Sequence, residues 1–286
     1  MAQTKMSAEE MARYYTRVHR EVLERATNDP LSAVIAPDKS GWLNRFTDFA
    51  HRLGMKKAFR MLEDRWGSLE NRTVLDLGCG RGRWSKEYAA RGAAVTGADI
   101  SPEAIRVLSE EMPQHRFIAQ DVAELSLPDE SFDVVNSVTV LQHMPHLKQQ
   151  MALNHGARWL KCGGCLVLFE NILAFDAPHV FPHSTSEWIA MTEATGLKCT
   201  HCSGANFEVL LRMYGFVAQF LRGGRLSGET AVPSTSLPGA PSLKHRLKSG
   251  AGAALAMASF PVERLCQALP LAKPTHSVMI FSKQPS

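Results

Sequence analysis

The residues best suited to chemistry begin with a glycine-rich turn between a predicted strand and a helix. A short, mostly apolar run from Val74 to Leu77 has a β-branched start, and glycines follow at every second position, at Gly78, Gly80 and Gly82. Apolar residues at helical spacing come directly afterwards. Glycine lets the backbone approach a ligand closely and adopt dihedrals that a Cβ forbids, and a helix start attracts anionic groups. The turn therefore indicates a nucleotide-type site.

Two acidic residues downstream fit this interpretation. Asp99 ends the next predicted strand, 19 residues beyond Gly80, where a carboxylate can accept both hydroxyls of a ribose. Asp121 closes the third predicted strand in the same way. The glycine spacing differs from the Gly-x-Gly-x-x-Gly of dinucleotide-binding proteins, which disfavours a dehydrogenase.

Candidates for catalysis follow the fourth and fifth predicted strands. His143 can act as a general base because its ordinary pKa lies near the working pH, and a place in the wall of the loop is the alternative. Glu170 is the preferred catalytic candidate, as a base for a hydroxyl or as an anion that stabilises a developing carbocation. Its alternative role is only to hydrogen-bond the acceptor or a covering segment. His179 and His183, in the next loop, are candidates for substrate contact, and a capping or surface role is the alternative.

A doubly wound α/β sheet is needed to bring these residues together. Strands and helices alternate through the central part of the chain, as in a parallel sheet with helices on both faces. Two helices precede the first strand: one spans 7–27, with Ser7 and Glu10 as a capping box, and one runs from Trp42 to Trp66.

As an ordered series, these motifs resemble the class I S-adenosylmethionine-dependent methyltransferases over about 72–207, with a final strand near 276–283. The resemblance implies a mostly parallel, seven-stranded, Rossmann-like sheet with S-adenosylmethionine as its cofactor. It also implies an N-terminal helical lid, a core, a helical and flexible insertion, and the last strand of the core, with expected ranges 1–70, 71–211, 212–272 and 273–286.

The resemblance also assigns site residues. The glycine-rich turn would hold the methionine half and the sugar, Asp99 the ribose, and Asp121 with the Val122 amide the adenine edge. In the lid, Tyr14 and Tyr15 are expected to contact the substrate, and an aromatic lid would exclude water. The expected cofactor-binding residues are Asp76, Gly78, Cys79, Gly80, Gly82, Asp99, Ile100, Asp121 and Val122.

The function expected from this resemblance is methyl transfer, by in-line displacement, to an oxygen or carbon of an apolar or lipid-like small molecule. Carbon methylation of an isoprenoid diphosphate is an alternative, and a non-catalytic S-adenosylmethionine-binding regulator or partner subunit is another. A nucleic-acid partner is disfavoured because the formal net charge is only +4 and no Asn/Asp-Pro-Pro-Tyr/Phe motif follows the fourth strand.

The cysteines include two pairs at zinc-ligand spacing, Cys162 with Cys165 and Cys199 with Cys202. The first pair brackets a glycine turn. The second pair lies in a predicted strand, where a separation of three residues turns side chains to opposite faces. We therefore expect small, buried, unreactive cysteines and no metal.

A basic excess lies in the last quarter of the chain. The stretch 222–286 holds eight Lys or Arg against two acids. Basic residues at 244–248 precede an Ala-rich helical pattern, so 243–269 is interpreted either as a peripheral membrane contact or as an extra helix packed on the sheet edge. The first residues carry no targeting pattern, and a cytoplasmic location, with or without membrane association, is expected.

Overall fold

Seven strands form one sheet in the computed structural model, which describes residues 5–24, 41–173, 177–207, 261–262, 264–266 and 273–284. They are β1 (Thr73–Leu77), β2 (Ala94–Asp99), β3 (Arg116–Ala119), β4 (Phe132–Val138), β5 (Leu160–Asn171), β6 (Leu197–Phe207) and β7 (Pro274–Lys283). Their order is β3-β2-β1-β4-β5-β7-β6. Only β7 is antiparallel to its neighbours, β5 and β6. The predicted fold class is confirmed.

Helices cover both faces of this sheet. The N-terminal capping box forms as predicted, because the Ser7 backbone N–H donates to the Glu10 carboxylate at 2.7 Å and the Glu10 N–H donates to Ser7 Oγ at 3.2 Å. The helices are α1 (Ala8–Glu24), α2 (Gly41–Trp66), α3 (Arg83–Ala89), α4 (Pro102–Glu111), α5 (His146–Trp159) and α6 (Thr185–Glu193).

The chain order creates a crevice at one edge of the sheet. From β1 the chain moves outward to β2 and β3, then returns to add β4 on the other side of β1. The connections therefore diverge above the carboxyl ends of β1 and β4, where ligands bind in open α/β sheets. The loops that follow β1, β2, β4 and β5 all meet at this edge.

The core has two layers, one on each face of the sheet. Alternate residues of β1 separate them: Leu75 belongs to the layer that includes Leu153 of α5, and Val74 belongs to the layer that includes Phe59 of α2. The second helix is thus packed on the sheet. Its buried side chains include Met55, Ala58, Phe59 and Leu62.

The prediction that Cys199 and Cys202 point to opposite faces is wrong. A register shift follows Cys199 in β6, so that Cys199 pairs with Phe281 and Cys202 pairs with Met279. These two residues of β7 lie two apart and share a face, and cross-strand partners point the same way. The bulge therefore places both thiols on one face.

The expectation of buried cysteines holds only in part. Cys79, Cys165 and Cys266 are buried, whereas Cys162 and Cys202 are exposed. Among the described residues, no group of three or more His, Cys, Asp or Glu side chains is arranged to hold a metal ion.

Several predicted segments lie outside the described residues. They include the end of the first predicted helix at 25–27, the basic residues at 244–248 and most of the expected insertion at 212–272. In the part of the chain that is described, no helix is both long enough and apolar enough to cross a membrane.

Candidate active site

The glycine-rich turn after β1 has the backbone geometry that its sequence predicts. Gly78, Gly80 and Gly82 have φ angles of 62°, 50° and 77°, all in the left-handed region. The turn is also tightly packed, since a Cβ at Gly78 would lie 2.3 Å from a methyl carbon of Val140, and one at Gly82 would lie 2.3 Å from a methyl carbon of Leu108. Both conformation and space require glycine here.

Asp76 ties the end of β1 to two neighbouring elements. Its carboxylate is 2 % exposed and accepts hydrogen bonds from Ser85 Oγ of α3 at 2.6 Å and from Asn136 Nδ2 of β4 at 2.7 Å. The Tyr88 hydroxyl donates in turn to Asn136 Oδ1 at 3.2 Å. This buried network fixes the start of the turn. Burial raises the pKa of Asp76 to about 6.

The raised pKa of Asp76 predicts a pH-dependent stability. Between the unfolded value of about 4 and the folded value of about 6, the native state binds more protons than the unfolded state. The free energy of unfolding should therefore fall as the pH rises through this window, by up to about 3 kcal/mol. Thermal unfolding between pH 4 and 7, compared with Asp76→Asn, tests this. A wild-type minus variant difference that does not fall with pH would contradict it.

Asp99 lies against the glycine-rich turn, as the spacing predicts. The side chain at the end of β2 is 8 % exposed. Its two oxygens accept hydrogen bonds from the backbone N–H groups of Gly80 and Ser101, each at 2.9 Å. The carboxylate thus bridges the loops that follow β1 and β2, at the edge where a ribose would lie.

Asp121 has two partners within the protein. It accepts the backbone N–H of Ala123 at 2.9 Å, which caps a short 3-10 turn over 122–124, and it pairs with Lys148 Nζ of α5 at 2.6 Å. Val122 is buried beside it. Sequence reasoning missed Lys148, because a lysine 27 residues away in another helix has no local signal.

Four aromatic rings gather at the carboxyl edge of the sheet. The His143 ring stacks on His179 with centroids 5.6 Å apart, and His179 stacks on Tyr14 at 5.5 Å. Tyr15 meets His143 edge-on at 5.4 Å. Burial raises the pKa of Tyr15 well above its ordinary value, with smaller contributions from Tyr14 and Asp99. We call Tyr14, Tyr15, His143 and His179 the aromatic cluster.

Helix α1 is attached to the edge of the site at both ends. Lys5 Nζ donates to the carbonyl oxygens of Ala177 and Val180 at 2.7 and 2.8 Å, and the Met6 N–H donates to the carbonyl of Pro178 at 2.9 Å. At the other end, Arg20 pairs with Glu103 of α4 at 2.7 Å. The printed sequence predicts the helix, but only these long-range contacts place its tyrosines in the cluster.

His183 belongs to a different group of side chains. Its Nε2 lies 2.8 Å from Gln149 Oε1 and 3.0 Å from His146 Nδ1, and its ring meets Trp188 edge-on. Gln149 Nε2 also donates to the Leu141 carbonyl at 3.0 Å. These contacts join α5, α6 and the loop between β5 and α6, and the substrate contact of His183 stays a prediction.

The prediction that Glu170 points toward an acceptor is wrong. The side chain is fully buried, and both oxygens accept hydrogen bonds from the loop after β4, from Ser137 Oγ and the backbone N–H groups of Val140, Leu141 and Gln142. The residue stands at the carboxyl edge as expected. Its side chain, however, lies on the same face of β5 as that of Leu168, which is part of the buried core.

Thr139 is a further candidate site residue, which the sequence did not reveal. It directly follows β4 and has a φ of 57°, which is costly for a β-branched residue. Its N–H donates to the Phe169 carbonyl at 2.7 Å. Strained backbone of this kind concentrates at ligand sites, and here it lies at the crevice above β4.

The residues of this edge fit an S-adenosylmethionine-type ligand. The glycine-rich turn provides a cradle that a Cβ would fill, and Asp99 provides a carboxylate beside it. Two partly buried arginines flank the turn. Arg81 pairs with Glu111 at 3.1 Å and Arg83 pairs with Asp48 at 2.8 Å, and the Nε atom of each has no hydrogen-bond partner among the described residues. A ribose and a base with an amino-group edge, such as adenine, would find matching groups here.

Comparisons with known proteins point to a methyltransferase. Residues 74–164 match the family model described as "Methyltransferase domain". A ubiquinone biosynthesis O-methyltransferase from Coxiella burnetii is 33 % identical over 167 residues, covering 50 % of this chain and 70 % of that protein. A 2-methyl-6-phytyl-1,4-hydroquinone methyltransferase from Synechocystis is 39 % identical over 113 residues, covering 37 % of this chain and 35 % of that protein. The chain thus spans only about a third of the latter relative.

A solved structure shows the same fold. The 1,6-didemethyltoxoflavin-N1-methyltransferase of Burkholderia thailandensis, bound to S-adenosylhomocysteine, superposes with a TM-score of 0.54 at 17 % identity. The match covers 99 % of this chain and 93 % of that chain. Together with the strand order, the glycine-rich turn and the Coxiella relative, it leads to one assignment. The chain belongs to the class I S-adenosylmethionine-dependent methyltransferases.

Proposed function

We propose that this protein transfers the methyl group of S-adenosylmethionine to an oxygen or carbon of an apolar, quinol-like small molecule. The observation that carries the proposal is the aromatic cluster, which α1 closes over the carboxyl edge of the sheet beside Asp99. The names of the relatives support the acceptor class, because one is a 2-methyl-6-phytyl-1,4-hydroquinone methyltransferase and the other is an O-methyltransferase of ubiquinone biosynthesis.

The chain's own residues have distinct roles in this proposal. The glycine-rich turn and Asp99 bind the amino-acid and ribose parts of the cofactor, and Asp121 with the Val122 amide binds the adenine edge. When bound, S-adenosylmethionine supplies a methyl group on a sulfonium, which is electrophilic enough for in-line displacement. The protein then has to position the nucleophile at about 3 Å and exclude water.

The aromatic cluster suits these two tasks. Tyr15 and His143 present flat apolar surfaces that can stack on an aromatic acceptor, and electron-rich rings also favour a cationic sulfonium. The contacts of Lys5 and Arg20 hold α1 over the carboxyl edge of the sheet. In that position the helix would exclude water from the acceptor site.

Transfer of labelled methyl tests the proposal. The purified protein is incubated with labelled S-adenosylmethionine and either a substituted hydroquinone or catechol with an isoprenoid tail, or the same ring without its hydroxyl groups. We expect label in the organic phase only with the hydroxylated ring, and mass spectrometry then separates oxygen from carbon methylation.

Other outcomes point to the alternatives. Label that enters only isoprenoid diphosphates supports carbon methylation of that class and contradicts a quinol-like acceptor. Tight binding of S-adenosylmethionine with no transfer to any acceptor in a cell extract favours a non-catalytic binding protein.

Tyr15→Ala should raise KM for the acceptor about tenfold with a smaller change in cofactor affinity, and an unchanged KM would remove Tyr15 from the acceptor site.

A further inference from the structure

Glu170 makes a set of contacts that no other described carboxylate of the site repeats. Its Oε1 accepts from Ser137 Oγ at 3.3 Å and from the N–H groups of Val140 and Leu141 at 3.2 and 3.0 Å. Its Oε2 accepts from the N–H of Gln142 at 3.2 Å. Three consecutive backbone amides thus point at one buried carboxyl group.

A carboxylate is the side chain that these donors require. An ionised carboxyl group offers only acceptors, whereas a glutamine in the same place would direct an N–H group at one of the amides. Burial raises the pKa of Glu170 to about 7, and the amides oppose that shift because they stabilise the charged form. All the hydrogen bonds that the Glu170 carboxylate accepts in the structure come from the protein's own loop after β4.

The loop that Glu170 holds carries Gln142 and His143. Gln142 Oε1 accepts the N–H of Asn171 at 2.7 Å, and this contact fixes the orientation of the amide. Gln142 Nε2 therefore donates to His143 Nε2, 3.0 Å away. His143 Nδ1 must then carry the proton, which it donates to the carbonyl oxygen of His179 at 2.9 Å.

This chain of hydrogen bonds determines one tautomer of His143, with both ring nitrogens engaged. A histidine whose Nε2 lone pair already accepts a hydrogen bond is not set up to remove a proton from an acceptor. It is set up to hold its ring at a fixed angle between Tyr15 and His179. The arrangement favours a role for His143 in the wall of the acceptor site over a role as a general base.

We propose that Glu170 is a positioning residue whose buried carboxylate fixes the turn at 140–142 and, through Gln142, the tautomer and ring angle of His143 in the wall of the acceptor site. The part that concerns the acceptor rests on the proposed function. The part that concerns the tautomer does not, and it is measurable without any acceptor.

Long-range nitrogen–proton correlation NMR of the imidazole rings tests the tautomer, with His143→Gln used to assign the signal. We expect His143 to be the Nδ1–H tautomer in the wild type. Gln142→Glu, which keeps the shape but removes the donor, should shift it away from that tautomer, and Glu170→Gln should do the same by displacing the turn. Glu170→Asp should restore the wild-type signal in part.

Turnover and affinity separate positioning from proton transfer. With the acceptor found above, Glu170→Gln should lower kcat on the order of 10²-fold while the affinity for S-adenosylmethionine changes less than about threefold. The effects of Glu170→Gln and Gln142→Glu should not add in the double variant, because both act through the same ring. Ser137→Ala, which removes one long contact, should fold normally and show a small effect of the same kind.

Two results would overturn the proposal. If Glu170→Gln abolishes turnover but leaves the His143 tautomer unchanged, Glu170 acts in proton transfer. If the wild-type His143 is the Nε2–H tautomer, the hydrogen-bond chain is wrong. A wild-type protein that shows the expected tautomer but methylates no acceptor contradicts the proposed function and leaves the role of Glu170 in the turn intact.

Discussion

Gly78→Ala is expected to weaken S-adenosylmethionine binding on the order of 10²-fold. The new Cβ would meet Val140 at 2.3 Å in a backbone conformation with a φ of 62°, so the turn has to move away from its ligand-binding shape. A left-handed non-glycine residue costs roughly 1–2 kcal/mol and overpacking roughly 1–3 kcal/mol. Together these correspond to about two factors of ten in affinity. Isothermal titration calorimetry of the purified variant measures the loss.

Gly67→Ala is the matched control for this prediction. Gly67 has a φ of 78°, close to that of Gly78, but a Cβ there would have nothing within 4 Å. It therefore carries the backbone penalty without the clash and lies in the turn that ends α2. We expect a stability loss of about 1 kcal/mol and unchanged cofactor affinity. Equal affinities of Gly78→Ala and Gly67→Ala would show that the packing against Val140 does not shape the site.

Asp99→Ala is expected to reduce cofactor affinity by about 10²- to 10³-fold. In the proposed site the carboxylate accepts two hydroxyl hydrogen bonds, and hydrogen bonds to charged groups contribute roughly 1.5–3 kcal/mol each. The substitution also removes the acceptor for the Gly80 and Ser101 N–H groups, so the two loops lose their bridge. The affinity is measured for S-adenosylhomocysteine and for an analogue with both ribose hydroxyls replaced by hydrogen.

The comparison of the two ligands separates ribose binding from loop damage. If Asp99 binds the hydroxyls, the wild type should prefer S-adenosylhomocysteine strongly and Asp99→Ala should lose most of that preference. If the variant binds both ligands weakly but keeps the wild-type ratio, Asp99 acts only on the loops. Glu110→Gln serves as the control, because Glu110 is exposed and pairs with Arg106 of the same helix, α4.

Local sequence properties were enough to predict the sheet and the edge at which the candidate residues meet. Gly78, Gly80 and Gly82 were identified because a left-handed backbone excludes most other residues, and this constraint acts within a few bonds. Asp99 and Glu170 were placed at the carboxyl edge because each ends a buried strand, and parallel strands bring such ends together.

Side-chain direction and partners could not be predicted in the same way. The face on which Cys202 lies depends on a bulge that the strand pattern of β6 does not show. The partner of Asp121 is a lysine from α5, and the partners of Glu170 are backbone amides about 30 residues away in sequence. Such contacts exist only after distant segments pack.

The sequence by itself thus determined a doubly wound α/β sheet and the edge at which ligands meet, because turn geometry and strand alternation are local. Its resemblance to the class I methyltransferases added the S-adenosylmethionine cofactor. The tertiary structure alone decided that Tyr15 of α1 stands against His143, and that Glu170 faces inward to hold the turn that carries this histidine. The physical reason is that a hydrogen bond or a ring contact depends on where two chain segments meet in space. The spacing of two residues along the chain does not specify whether their segments meet.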